Sequence, residues 1–136
     1  MPYIERELRD EFDKYLKSLI EGHINVSKLC MDILKLPLEK QDGLINYLLT
    51  EGLRHNASTN IMDEIIFVFY ASEPRSYYKF ERALGLLSAI QKEFKRREWT
   101  LTDTQRFFVE HEADYLYDSE VSLYEKLKID TNGDLE

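Results

Sequence analysis

Three acids set on a helical repeat are the residues of this chain whose spacing most directly suggests chemistry. Glu110, Asp114 and Asp118 fall at i, i+4 and i+8, so a continuous helix stacks their carboxylates on one face, with His111 and Glu112 flanking them. Such a ridge suits a basic protein partner. As a plain solvated face it costs only about 0.2–0.5 kcal/mol per like-charged pair, so charge alone does not make it a site. A second polar set, Asn46, Tyr47 and Thr50, interrupts an otherwise apolar run. Thr50 stands one turn from Asn46, the spacing of a buried hydrogen-bond network, with a ligand site as the alternative.

Other chemistry-bearing types do not combine. His23, His55 and His111 lie far apart, with no His-Glu-x-x-His pair and no glutamate three residues ahead of any of them; the helical zinc-protease and di-iron patterns are therefore not met. Glu7-Leu8-Arg9-Asp10 offers one acid pair of the kind all-α pyrophosphohydrolases use for magnesium, without a convincing second pair. Asp130-Thr131-Asn132-Gly133-Asp134 imitates the opening of a calcium loop, but Leu135 stands where the loop needs glycine and the bidentate glutamate is missing. It reads as a polar turn. Phosphate-cradling glycine loops and the Gly-x-Ser-x-Gly elbow do not occur. The one cysteine, Cys30, sits among Leu29, Met31 and Ile33 as a small buried thiol. No catalytic residue, metal or cofactor is expected.

The elements that would position these residues are helices. Five Gly and three Pro are too few for the turns of an all-β fold, and the apolar residues recur at steps of three and four. The pattern predicts helices at about 4–20, ended by Gly22; 25–35, closed by Pro37; 44–55, capped by an Asp42-Gly43 turn; 61–71; 77–98; and one opened by a Thr102/Gln105 capping box that fades after Asp118. The run Ile65 to Tyr70 has the composition of a buried strand, but no partner strand is visible. The expected fold is an all-α bundle of five to six helices in antiparallel hairpins, with the fifth, which has the longest apolar stripe, at its centre.

Four segments together resemble a family of small uncharacterised helical proteins of bacteria and their phages: Met1-Pro2-Tyr3-Ile4; Gly43-Leu44-Ile45-Asn46-Tyr47 to Thr50; Gly85-Leu86-Leu87 running to Glu93-Phe94-Lys95-Arg96-Arg97; and Tyr124-Glu125, Lys128-Ile129 and Asn132-Gly133-Asp134. The resemblance implies a compact helical protein and brings no catalytic residues. In the family pattern Arg97 leads almost directly into Tyr124. Here residues 98–123 intervene, read as an acidic helical insertion that forms a hairpin arm on the shared core.

Charge sharpens this division. The 136 residues carry a net −8, which argues against nucleic acid, whose affinity comes from phosphates neutralised by Lys and Arg. Between 98 and 123, seven acids (Glu98, Asp103, Glu110, Glu112, Asp114, Asp118, Glu120) face one base, Arg106. Lys92, Lys95 and Arg96 just before could neutralise part of that stretch. No run reaches the roughly 20 apolar residues of a membrane span, and no basic-then-apolar leader opens the chain. The expectation is one soluble cytoplasmic domain over residues 1–136, without membrane or nucleic-acid partners. Its surplus of aromatic residues, nine Tyr and seven Phe, suggests a homo-oligomer, most simply a dimer. The expected role is a non-catalytic interaction module of phage or mobile-element type, the alternative being an enzyme with an unfamiliar helical site.

Overall fold

The computed structural model describes residues 4–72 and 74–131. They form six helices: α1 Arg6–Glu21, α2 Val26–Leu34, α3 Leu38–Arg54, α4 Thr59–Tyr70, α5 Tyr77–Arg97 and α6 Asp103–Thr131. The Ile65 to Tyr70 run is the last half of α4, and no strand occurs among the described residues.

Local chemistry explains most boundaries. Gly22 closes α1 at φ 84°, a left-handed geometry costly for other residues, with its N–H directed at Ser18 O and Leu19 O. The Lys28 N–H donates to Asn25 Oδ1 (3.0 Å) to cap α2, and the Lys79 N–H donates to Ser76 Oγ (3.1 Å) to cap α5. At α6 the capping box is reciprocal: the Gln105 N–H donates to Thr102 Oγ1 (3.2 Å) and the Thr102 N–H to Gln105 Oε1 (3.1 Å). The Gln105 side chain also donates to Leu53 O (2.9 Å), fastening the start of α6 to the end of α3.

Three expectations are corrected. Asp42-Gly43 is not a turn: α3 begins at Leu38, straight after Pro37, and runs through both residues. Burial of Gln41, Leu44 and Ile45 outweighs the roughly 1 kcal/mol that an interior glycine costs a helix. Nor does helix end near Asp118, since α6 continues to Thr131. Residues 98–123 consequently form no hairpin of their own; they are a short connection followed by the first two-thirds of one long helix. Asn132-Gly133-Asp134 lies outside the described residues.

In the bundle α1 packs on α3, α2 on α3 and α4, α5 on α3, α4 and α6, and α6 also on α4. The centre is therefore shared rather than held by α5 alone. Nine residues of α3 are buried against seven of α5, so α3 is enclosed at least as fully. The core runs from Ile4 and Phe12 through Leu44, Leu48, Ile65, Ile66, Leu87 and Ile90 to Phe108 and Leu116.

Candidate functional site

The inward stripe of α6 is unusual in composition. Among its described side chains the buried ones are Gln105, Phe108, Glu112, Leu116 and Glu120, a three-then-four-residue step, and of these five only two are apolar. Each buried polar group therefore needs a partner. Gln105 has Leu53 O, and Glu120 forms an ion pair with Arg75. Glu112 faces Asp63 of α4, a second acid.

That acid pair lines a cleft of about 310 Å³ between α4 and α6, together with Phe107, His111, Asp114, Tyr115 and Asp118. Helical spacing brings the α6 members together: Phe107, His111 and Tyr115 follow i, i+4, i+8, with Asp114 and Asp118 beside them. The rings of Phe107 and His111 are 4.5 Å apart, and Tyr115 meets Phe67 of α4 edge-on at 5.6 Å. Phe107 and Tyr115 are nevertheless 66% and 58% exposed, well beyond what a core role would leave. Glu112 is buried, and no donor elsewhere among the described residues reaches its Oε2 or Asp63 Oδ1. Burial, then the hydrogen bond and charge of Asp63, push the Glu112 carboxyl up to about 9. At neutral pH the two carboxyl groups thus share a proton, the usual outcome when like charges meet in a poorly hydrated place.

The ridge acids are divided by this geometry. All three are exposed, but Asp114 and Asp118 border the α4–α6 cleft, whereas Glu110 borders a wider depression beside Lys95, Trp99 and Arg106 at the α5–α6 connection. Among the described residues no ion pair reaches any of the three. Arg96 and Arg97 turn instead to Glu93 on their own helix (3.0 and 2.5 Å), and these contacts, Arg96 first, hold the Glu93 carboxyl down at about 2.

Asn46, Tyr47 and Thr50 also separate. The Thr50 hydroxyl donates to Asn46 Oδ1 inside the bundle (2.9 Å), while the Tyr47 hydroxyl donates to Asp13 of α1 (2.9 Å) at the surface. A better-connected network lies nearby. Arg82 of α5 grips Asp42 of α3 with two donors (2.8 and 2.9 Å), Tyr70 of α4 donates to the same carboxylate (2.7 Å), and the guanidinium lies over the Tyr70 and Tyr78 rings. These bonds tie three helices together, a structural role. Cys30 is buried, and burial followed by the charge of Glu64 pushes its thiol up to about 11, so it stays protonated and unreactive.

Sequence reasoning placed Glu112 as a neighbour of the ridge and left Asp63 unremarked. The available signal was the 105–108–112–116–120 step, which identifies Glu112 and Glu120 as inward-facing once Phe108 and Leu116 are taken as core. Asp63 had no such signal, because its role exists only through the packing of α4 on α6.

Among the described residues no helix is long and apolar enough to cross a membrane. No curated protein and no solved structure is a match for the chain. The family model for a domain of unknown function, DUF6899, matches residues 1–135, and the chain belongs to that family.

Proposed function

We propose that this chain is a non-catalytic interaction module whose cleft-bearing face of α6 docks a basic segment of another protein. The observation that carries this reading is the combination, on one helix face, of the exposed Phe107 and Tyr115 rings with Asp114 and Asp118, acids that no basic group of the described chain neutralises. Aromatic rings supply apolar contact area, and unneutralised acids supply orientation and charge complementarity. A second copy of the chain is a poorer occupant, since a two-fold interface at this face would oppose one acidic patch with an identical acidic patch. The resemblance of the four sequence segments, taken together, to bacterial and phage proteins supports a cytoplasmic accessory role of phage or mobile-element type. An enzyme using the shared-proton acid pair as a general acid is the competing class; substrate turnover that Glu112→Gln abolishes would favour it.

Binding of an arginine-rich peptide, with a glutamate-rich peptide of equal length as control, tests the docking face. Affinity is expected to fall about tenfold or more from low to physiological salt, because exposed charges are screened over about 8 Å there. The combined variant Glu110→Gln, Asp114→Asn, Asp118→Asn is expected to weaken binding with its circular dichroism unchanged. An affinity unaltered by salt and by the variant would overturn the reading.

A second association is favoured by a separate observation. Tyr77, Phe80 and Tyr117 cluster on the α5–α6 face with ring centroids 6.0 and 6.1 Å apart, and Tyr77 and Tyr117 are more than half exposed. This patch suits a homodimer and leaves the acidic face free.

A further inference from the structure

We propose that a second cleft, between α3 and α5, is a binding site for a primary carboxamide, its carbonyl held by Asn46 and Arg82 and its NH2 by Asp42. The site lies on a different helix pair from the docking face and does not depend on it. At about 350 Å³ the cleft falls at the small end of ligand sites, roughly 300–1,000 Å³. Where Gly43 and Gly85 line it the two helices present backbone only, and a Cβ at Gly85 meets nothing within 4 Å. Small residues would not identify a site by themselves. The independent observation is Asn46, which lines the same cleft and is only 5% exposed. Thr50 donates to its Oδ1, while its Nδ2 reaches no acceptor among the described residues and is not sealed from solvent. Whichever end of the amide Thr50 holds, the other end is left to the cleft. Buried polar groups are ordinarily satisfied, so this one calls for a polar group entering from outside.

The remaining lining identifies the ligand's class. Arg82 directs Nε and Nη2 at Asp42 and Gln41, and its Nη1 carries further N–H donors that meet no acceptor among the described residues. Asp42, its side chain 39% exposed, accepts from Tyr70 and Arg82 and keeps lone pairs free. Unused donors and an unused acceptor thus line one cleft. Asp42 and Arg82 cancel in charge, and no other charged residue among the described ones lines the cleft, so a carboxylate would enter uncompensated. The ligand is therefore neutral. A carboxamide presents an acceptor oxygen and two N–H donors in one plane, matching both halves of the lining, and Leu86 and Ala89 supply apolar contact for a short aliphatic body.

Titration of the whole isotope-labelled chain with isobutyramide, and with isobutyrate as its charged isostere, tests this by NMR. The expected result is saturable movement of the Asn46 side-chain NH2 and the Gly85 N–H resonances by isobutyramide, with a dissociation constant on the order of millimolar for so small a ligand. Isobutyrate is expected to bind about tenfold more weakly or worse. Asn46→Ala is expected to weaken isobutyramide by about tenfold or more. Gly85→Leu, which puts a branched side chain into the cleft at an exposed helical position, is expected to abolish binding without lowering the melting temperature. Should Asn46→Ala not fold, Gly85→Leu decides alone. N-acetylglutamine methylamide separates two sources of the same group: tighter binding than isobutyramide assigns the carboxamide to a side chain of a partner protein, weaker binding assigns it to a free small molecule, and either supports the site. Equal binding of isobutyrate, binding that survives Gly85→Leu, or no saturable shift, which leaves water as the only occupant, each overturns the proposal. None of these outcomes bears on the docking face of α6.

Discussion

Glu112 occupies a position where an ordinary amphipathic helix carries leucine, and the bundle tolerates it because the charge is removed rather than matched. Two other buried acids are handled differently. Glu93 is held ionised by Arg96 and Arg97, and Glu120 is paired with Arg75. The difference is visible in how stability should depend on pH. Glu93, with its carboxyl lowered to about 2, contributes stability that is present above its unfolded value and lost as pH falls towards 2. Glu112 runs the other way. Its carboxyl is raised to about 9 from 4.5, so between those values the folded chain binds more protons than the unfolded one, and stability declines as pH rises through that window. Glu112→Gln is expected to flatten this decline, leaving denaturant midpoints near those of the unaltered chain at about pH 4.5 and raising them at about pH 8. A midpoint lowered at about pH 8 would show that the carboxyl is ionised in the folded state.

Two glycines separate what a helix prefers from what its packing allows. Gly52 of α3 and Gly85 of α5 are both interior helical residues, where alanine would otherwise be favoured by about 1 kcal/mol. A Cβ at Gly85 meets nothing within 4 Å, whereas one at Gly52 would lie 2.9 Å from Leu19 Cδ2 and 3.5 Å from Ala57 Cβ. Leu19 is fully buried and has no free direction in which to yield. Gly85→Ala is thus expected to stabilise by roughly 0.5–1 kcal/mol and Gly52→Ala to destabilise by about 1–3 kcal/mol, read from chemical denaturation. Equal effects would mean that the α1–α3 contact is looser than the geometry indicates. The sequence displays both residues identically, and only the approach of α1 distinguishes them.

Across the whole molecule, polarity is organised into separate faces. Acid and aromatic groups line the α4–α6 cleft, while the Tyr77–Phe80–Tyr117 cluster lies on the α5–α6 side. If the second cluster joins two copies, light scattering should report a dimer that persists at high salt, since apolar association is not screened, and Tyr77→Ser with Tyr117→Ser should yield a monomer. A monomer at every accessible concentration would remove the homodimer. Docking of a basic segment should show the opposite salt response, so the two associations can be told apart in one preparation.

The sequence by itself determined the elements. Apolar residues at three- and four-residue steps specify helices, and Asn25, Gly22, Ser76 and the Thr102/Gln105 box mark their ends, because capping and periodicity act between residues a few positions apart. It also determined that acids gather on α6. Which acids matter was beyond its reach: Glu110, Asp114 and Asp118 look alike in the chain, and only the seat of α6 against α4 and α5 puts two at the cleft and one outside it. The start of α3 at Leu38 and the meeting of Asp63 with Glu112 were decided the same way. Each depends on surfaces buried between residues distant in sequence, whose burial outweighs the local preference for a turn at Asp42-Gly43 and brings two like charges close enough to share a proton.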